Sequence, residues 1–118
     1  MNGLTEFFFL AGLTCIVLHE LDAIRQGEAA FFLGWTGASE VTIYRVFTAL
    51  HAPLLLWMLF VINNEGFRVG LSAFLIIHMG LHIALHNHPR IRFDTWFSWL
   101  WIAGGAVCGA GYLLLSTL

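Results

Sequence analysis

The sequence predicts an all-α fold, a polytopic membrane protein built as an up-down bundle of four transmembrane helices, and three observations carry that prediction. Of 118 residues, 59% are hydrophobic and only 10% are charged, where an ordinary soluble domain has roughly a quarter charged. The mean hydropathy is +0.83. Four stretches, Phe7 to His19, Val46 to Asn64, Val69 to Pro89 and Thr95 to Leu118, contain no Asp, Glu, Lys or Arg. Each covers most or all of a hydrocarbon core at ~1.5 Å per helical residue. Short polar turns separate three of the four, so residues 1–118 read as a single transmembrane domain.

The first helix is expected from about Leu4 to Ile24. Met1 to Glu6 holds no Lys or Arg, so the basic region of a secretory signal is missing and this helix is expected to stay in the mature protein. The connection from Arg25 to Glu40 carries Phe31, Phe32 and Trp35 beside Gly34 and Gly37, a composition suited to a short segment lying among headgroups. A second helix is expected from Val41 to Ile62, closed by the turn Asn63, Asn64, Glu65 and Gly66. The third runs from Gly66 to Asn87, ended by His88 and Pro89, and the fourth from Asp94 to Thr117 with Asp94 as its cap. Gly105 and Gly109 on the fourth form a small-xxx-small pair that permits close helix approach. Cys15 and Cys108 lie inside apolar stretches, where a thiol packs as a small hydrophobe rather than bridging.

With five Arg, no Lys and a net charge of −2, the chain lacks the basic surface that phosphate backbones require, and nucleic acid is excluded as an expected partner. Arg25, Arg90 and Arg92 fall on one face of the membrane with Arg45 just inside it; Arg68 and both termini fall on the other. The positive-inside rule then puts the termini outside the cytoplasm, with the bacterial inner membrane as the expected location. Trp35, Tyr44, Phe93, Trp96 and Trp99 cluster near the Arg-rich face as an interfacial belt.

Ionisable side chains within apolar stretches are costly enough to mark a functional site by default. His78, His82 and His86 recur every four residues, each rotated only ~40° from the last, so they share one helical stripe. His19 and Asp22 share a face of the first helix, and His51 lies in the second with Thr48 a turn away. Counted from the Arg-rich face, His19 and His82 lie roughly 7 Å deep and His51 and His78 roughly 13 to 15 Å deep, with Asp22 and His86 near the boundary. Three helices therefore aim imidazoles and a carboxylate at one layer, as a transition-metal site demands. Simpler roles compete at single positions: His86 and His88 solvated or bonded to headgroups, His51 bonded to Thr48, Asp22 paired with Arg25, and Glu20, pointing away from the His19 face, paired with Arg45. His19-Glu20 begins the zinc-protease pattern H-E-x-x-H, but Ala23 stands where its second His belongs. Any metal site must be assembled across helices.

The run Leu18-His19-Glu20-Leu21-Asp22-Ala23-Ile24 resembles small bacterial four-helix membrane families of unknown function, including the one named for its H-x-x-E-E motif. Asp22 stands where that motif has its first Glu and Ala23 where it has its second, so His19 and an acid at 22 carry over. The resemblance implies architecture and no activity. In spacing alone, His78 and His82 with His19 or His51 resemble the zinc ligands of the seven-helix alkaline ceramidase superfamily.

These readings converge on a metal-dependent membrane enzyme acting on a lipid or other hydrophobic substrate. His19, Asp22, His51, His78, His82 and His86 are its candidate metal ligands, and Asp22 and Glu20 its candidate catalytic acids. The cofactor expected is zinc or iron, with hydrolysis and oxidation both open. The alternatives are a b-type haem electron carrier, ligated by His51 and His78 or His82, and a non-catalytic subunit or transporter-like protein. Membrane lipids are expected partners, and a homo-oligomer is compatible with the sequence.

Overall fold

A computed structural model describes residues 2–89 and 95–118. Helix α1 spans Gly3–Gln26, the short α2 spans Glu28–Leu33 and runs into a 3-10 turn at Gly34–Thr36, and α3 spans Glu40–Phe60. Helices α4 and α5 span Glu65–Ala84 and Trp96–Ser116. The four long helices are long and apolar enough to cross a membrane. Each begins at a side-chain oxygen that accepts an otherwise unsatisfied backbone N–H: Asn2 from Thr5, Ser39 from Thr42, Asn64 from Phe67 and Thr95 from Ser98. The expected Asp94 cap, like Arg90, Arg92 and Phe93, lies outside the described residues.

Helix α4 ends at Ala84, three residues before the expected boundary at Asn87. Pro89 disfavours helical geometry at His88, and the His86 Nδ1–H donates to the Ile83 carbonyl at 2.8 Å, closing the chain into a turn. His86 thereby leaves the stripe of His78 and His82 and is exposed. The connection between the first two spans is ordered as α2 and the 3-10 turn.

The core is a trio of α1, α4 and α5. Close approach is possible because small residues line the contact. A Cβ on Gly109 would lie 2.5 Å from the Ser72 carbonyl oxygen of α4, and one on Gly12 would lie 2.9 Å from Leu75. Phe9 and Tyr112 pack ring against ring at 5.7 Å in one half of the trio, and Ala23 and Ile102 are buried in the other. Helix α3 stands beside this trio. Ile43 is its only buried residue, and it approaches the rest through α2, through the contact of Trp57 with Phe67 and through His51. Cys15 and Cys108 are free thiols. At the end where α1 begins, the buried Arg68 donates through Nη1 and Nη2 to the Glu6 carboxylate and through Nε to the Ile62 carbonyl.

Candidate metal centre

The helical repeat puts His78 and His82 of α4 on one stripe, and the trio packing turns that stripe toward His19 of α1. The three rings meet edge to face, with centroids 4.5 Å apart for His19 and His78, 5.1 Å for His19 and His82, and 4.5 Å for His78 and His82. The Nε2 atoms of His78 and His82 are 3.2 Å apart. That is close to the ~3.3 Å edge of a tetrahedron whose corners lie ~2.0–2.1 Å from its centre, the geometry of zinc with imidazole ligands.

Glu28 supplies the fourth group. Its Oε2 is 3.6 Å from His19 Nε2 and its Oε1 is 3.8 Å from His82 Nε2. Ligand atoms from His19, Glu28, His78 and His82 all lie within 4.8 Å of one another. His19, Glu28 and His82 are buried and His78 is half-buried. Glu28 was not among the residues expected from the sequence. On an unbroken helix it would sit nine positions beyond His19, ~180° around and ~13 Å along the axis. Gly27, at φ +74°, breaks α1 and folds α2 back so that Glu28 returns to the cluster. An acid placed directly after a glycine at the end of a span was the available signal.

The other candidates are placed elsewhere. His51 lies outside the four-residue cluster. Its Nδ1–H donates to the Phe47 carbonyl at 2.7 Å, and its Nε2 is 2.6 Å from Glu20 Oε2. Thr48 is not its partner in these bonds. Glu20 was expected to point away from His19, yet its Oε1 lies 3.8 Å from His19 Nε2. Adjacent helix positions are ~100° apart, but a glutamate side chain is long enough to swing back across that angle. Glu20 thus bridges the cluster and His51. A carbonyl oxygen can only accept, so His51 Nδ1 must carry a proton. The short contact between Nε2 and a carboxylate oxygen then requires a second proton, which the Glu20–His51 pair shares.

Asp22 faces α5. It accepts from Ser98 Oγ at 2.5 Å and from Gln26 Nε2 at 3.4 Å, and both Asp22 and Ser98 are buried. This is a clasp between α1 and α5. His88 stacks edge-on against Phe31 at 5.1 Å.

The face of α3 turned toward the trio borders a cleft of about 1050 Å³, lined by α1, α3 and α4. Its walls are apolar apart from Glu20, His51, Thr48 and Asn64.

No curated protein and no solved structure matches the chain. Residues 5–118 match a family of unknown function, DUF6713, across nearly the whole length, and the chain therefore belongs to the DUF6713 family.

Proposed function

We propose that this is a metal-dependent integral membrane enzyme that acts on a lipid or other hydrophobic substrate. The observation that carries the reading is the convergence of His19, Glu28, His78 and His82 from three separate helices on one point. Three imidazoles and a carboxylate are the ligands that suit zinc or iron. A divalent metal held there by three of the four side chains would leave a place for water, lower the pKa of that water to roughly 7 and polarise a substrate oxygen.

The chain's own residues supply the rest. Glu20 stands beside His19 with its second oxygen on His51, so the proton that the Glu20–His51 pair shares can be delivered at the cluster. Asp22, engaged by Ser98, keeps His19 in register with α5. Hydrolysis is the reaction that needs nothing beyond water. The spacing likeness to the alkaline ceramidase superfamily runs the same way, through His78, His82 and His19.

The haem alternative loses its support in this geometry. Two axial imidazoles must face each other across a macrocycle, whereas His78 and His82 meet directly and His51 is turned to Glu20. The test is elemental analysis of the detergent-purified protein. Near-stoichiometric zinc or iron that is lost in His82→Ala and kept in His86→Ala is the expected result. Background metal in all three would overturn the reading.

A further inference from the structure

We infer that the polar pocket at the end of the bundle where α1 begins binds a polyhydroxyl ligand, a sugar or sugar-like ring that is either free or carried as the head of a lipid. The pocket holds about 610 Å³, inside the ~300–1,000 Å³ range of small-molecule sites. Its Glu6 lies ~20 Å along α1 from His19, so this is a second site and does not depend on the metal-centre reading.

The observation that points to a ligand is Tyr112. Its side chain lines the pocket and is 0% exposed, and its hydroxyl has no hydrogen-bond partner among the described residues. Phe9 holds the ring, and the charges of Arg68, Glu65 and Glu6 act on the hydroxyl, so that end of the ring is turned to the charged wall of the pocket. A buried hydroxyl left unbonded is costly. A ligand group that both gives and takes a hydrogen bond removes that cost.

The rest of the lining decides the class of ligand. Leu115 apart, every described lining residue carries a polar group, which does not suit a hydrocarbon chain. Arg68 is not available to an anion. Its Nε donates to the Ile62 carbonyl, Nη1 and Nη2 donate to Glu6, and Nη2 also donates to Asn63. The carboxylates of Glu6 and Glu65 would repel a phosphate or carboxylate placed beside them.

An ammonium would suit those carboxylates, but it only donates and would leave the donors of the lining unmatched. Those donors are the amide nitrogens of Asn2 and Asn63, residues that engage only their side-chain oxygens among the described residues. The hydroxyls of Thr5 and Ser116 donate to Asn2 and to the Leu113 carbonyl, and so present lone pairs. Donors and acceptors are therefore mixed around one pocket. A hydroxyl offers one hydrogen and two lone pairs, and several on one ring match such a wall. The wall is fixed before a ligand arrives, because the buried Arg68 also lies over the Phe9 ring at 4.3 Å.

The experiment is ligand-observed saturation-transfer NMR on the whole protein in lauryldimethylamine oxide, whose head carries no sugar, with maltose as the probe. Maltose should bind saturably, and Tyr112→Phe and, independently, Asn63→Asp should each weaken half-saturation at least tenfold. Tyr112→Phe removes a hydroxyl that bonds to nothing in the protein, and Asn63→Asp keeps the oxygen that Arg68 engages, so both should retain the helical circular dichroism. Displacement by dodecyl maltoside at a tenth or less of the maltose concentration identifies a lipid-borne head, and displacement at similar concentrations identifies a free sugar. EDTA and His82→Ala should leave maltose binding as it was, so failure of the metal centre and failure of this site give different results. Absent or non-saturable maltose binding, half-saturation unmoved by both variants, or displacement of maltose by lower concentrations of ethanolamine or phosphate would overturn the proposal.

Discussion

Glu28 Oε2 lies 3.6 Å from His19 Nε2 although the two residues belong to different helices. The contact exists because Gly27 adopts a left-handed conformation that side-chain-bearing residues adopt only at a cost. One glycine therefore decides whether the three-histidine cluster has a carboxylate.

Replacing Gly27 should loosen that carboxylate. Gly27→Val places a β-branched residue at φ +74°, at a cost of at least ~1–2 kcal/mol. A lower thermal midpoint together with weaker zinc binding is expected. Zinc titration by calorimetry checks the second effect, and unchanged affinity would show that α2 holds Glu28 without the turn.

Glu28→Ala should reduce metal affinity by more than the ~10–100-fold typical of losing a group that only orients a ligand. Asp22→Asn should leave metal content intact, since Asp22 is engaged by Ser98. Measuring bound zinc in both variants side by side separates ligand from clasp.

The Asp22–Ser98 clasp should appear in stability instead. Ser98→Ala removes a buried hydrogen bond to a carboxylate, a loss of about 1.5–3 kcal/mol. Unfolding in mixed micelles should show it with the metal stoichiometry unchanged.

Metal removal should itself destabilise the fold. Ligand present at 100 times its dissociation constant contributes ~2.7 kcal/mol to the folded state, so EDTA should lower the thermal midpoint and added zinc restore it. A midpoint insensitive to EDTA at pH 7 would contradict a loaded centre.

Two glycines should respond in opposite ways. Gly109→Ala forces a methyl to within 2.5 Å of the Ser72 carbonyl oxygen, and backbone cannot yield as a side chain can. Overpacking of this kind costs ~1–3 kcal/mol. Gly70→Ala meets open space and should be neutral or stabilising by up to ~1 kcal/mol through helix propensity. Thermal midpoints of the two variants in one detergent test the contrast.

What the sequence determined by itself is what local periodicity and solvation determine. Uncharged runs of sufficient length specify spans, because every backbone group in hydrocarbon must be bonded within its own helix. Four-residue spacing puts His78 and His82 on one stripe whatever surrounds them. The small-xxx-small pair at Gly105 and Gly109 marks a close contact for the same reason. What only the tertiary structure decided is which stripe meets which. A helix can turn about its axis or shift along it with little change in its local pattern, so the sequence left His51 and Asp22 as equals of His19 among the candidate ligands and turned Glu20 away from them. Packing of α5 between α1 and α4 gave Asp22 to Ser98, the separation of α3 gave His51 to Glu20, and the break at Gly27 delivered Glu28, a residue that local spacing placed on the far side of the helix.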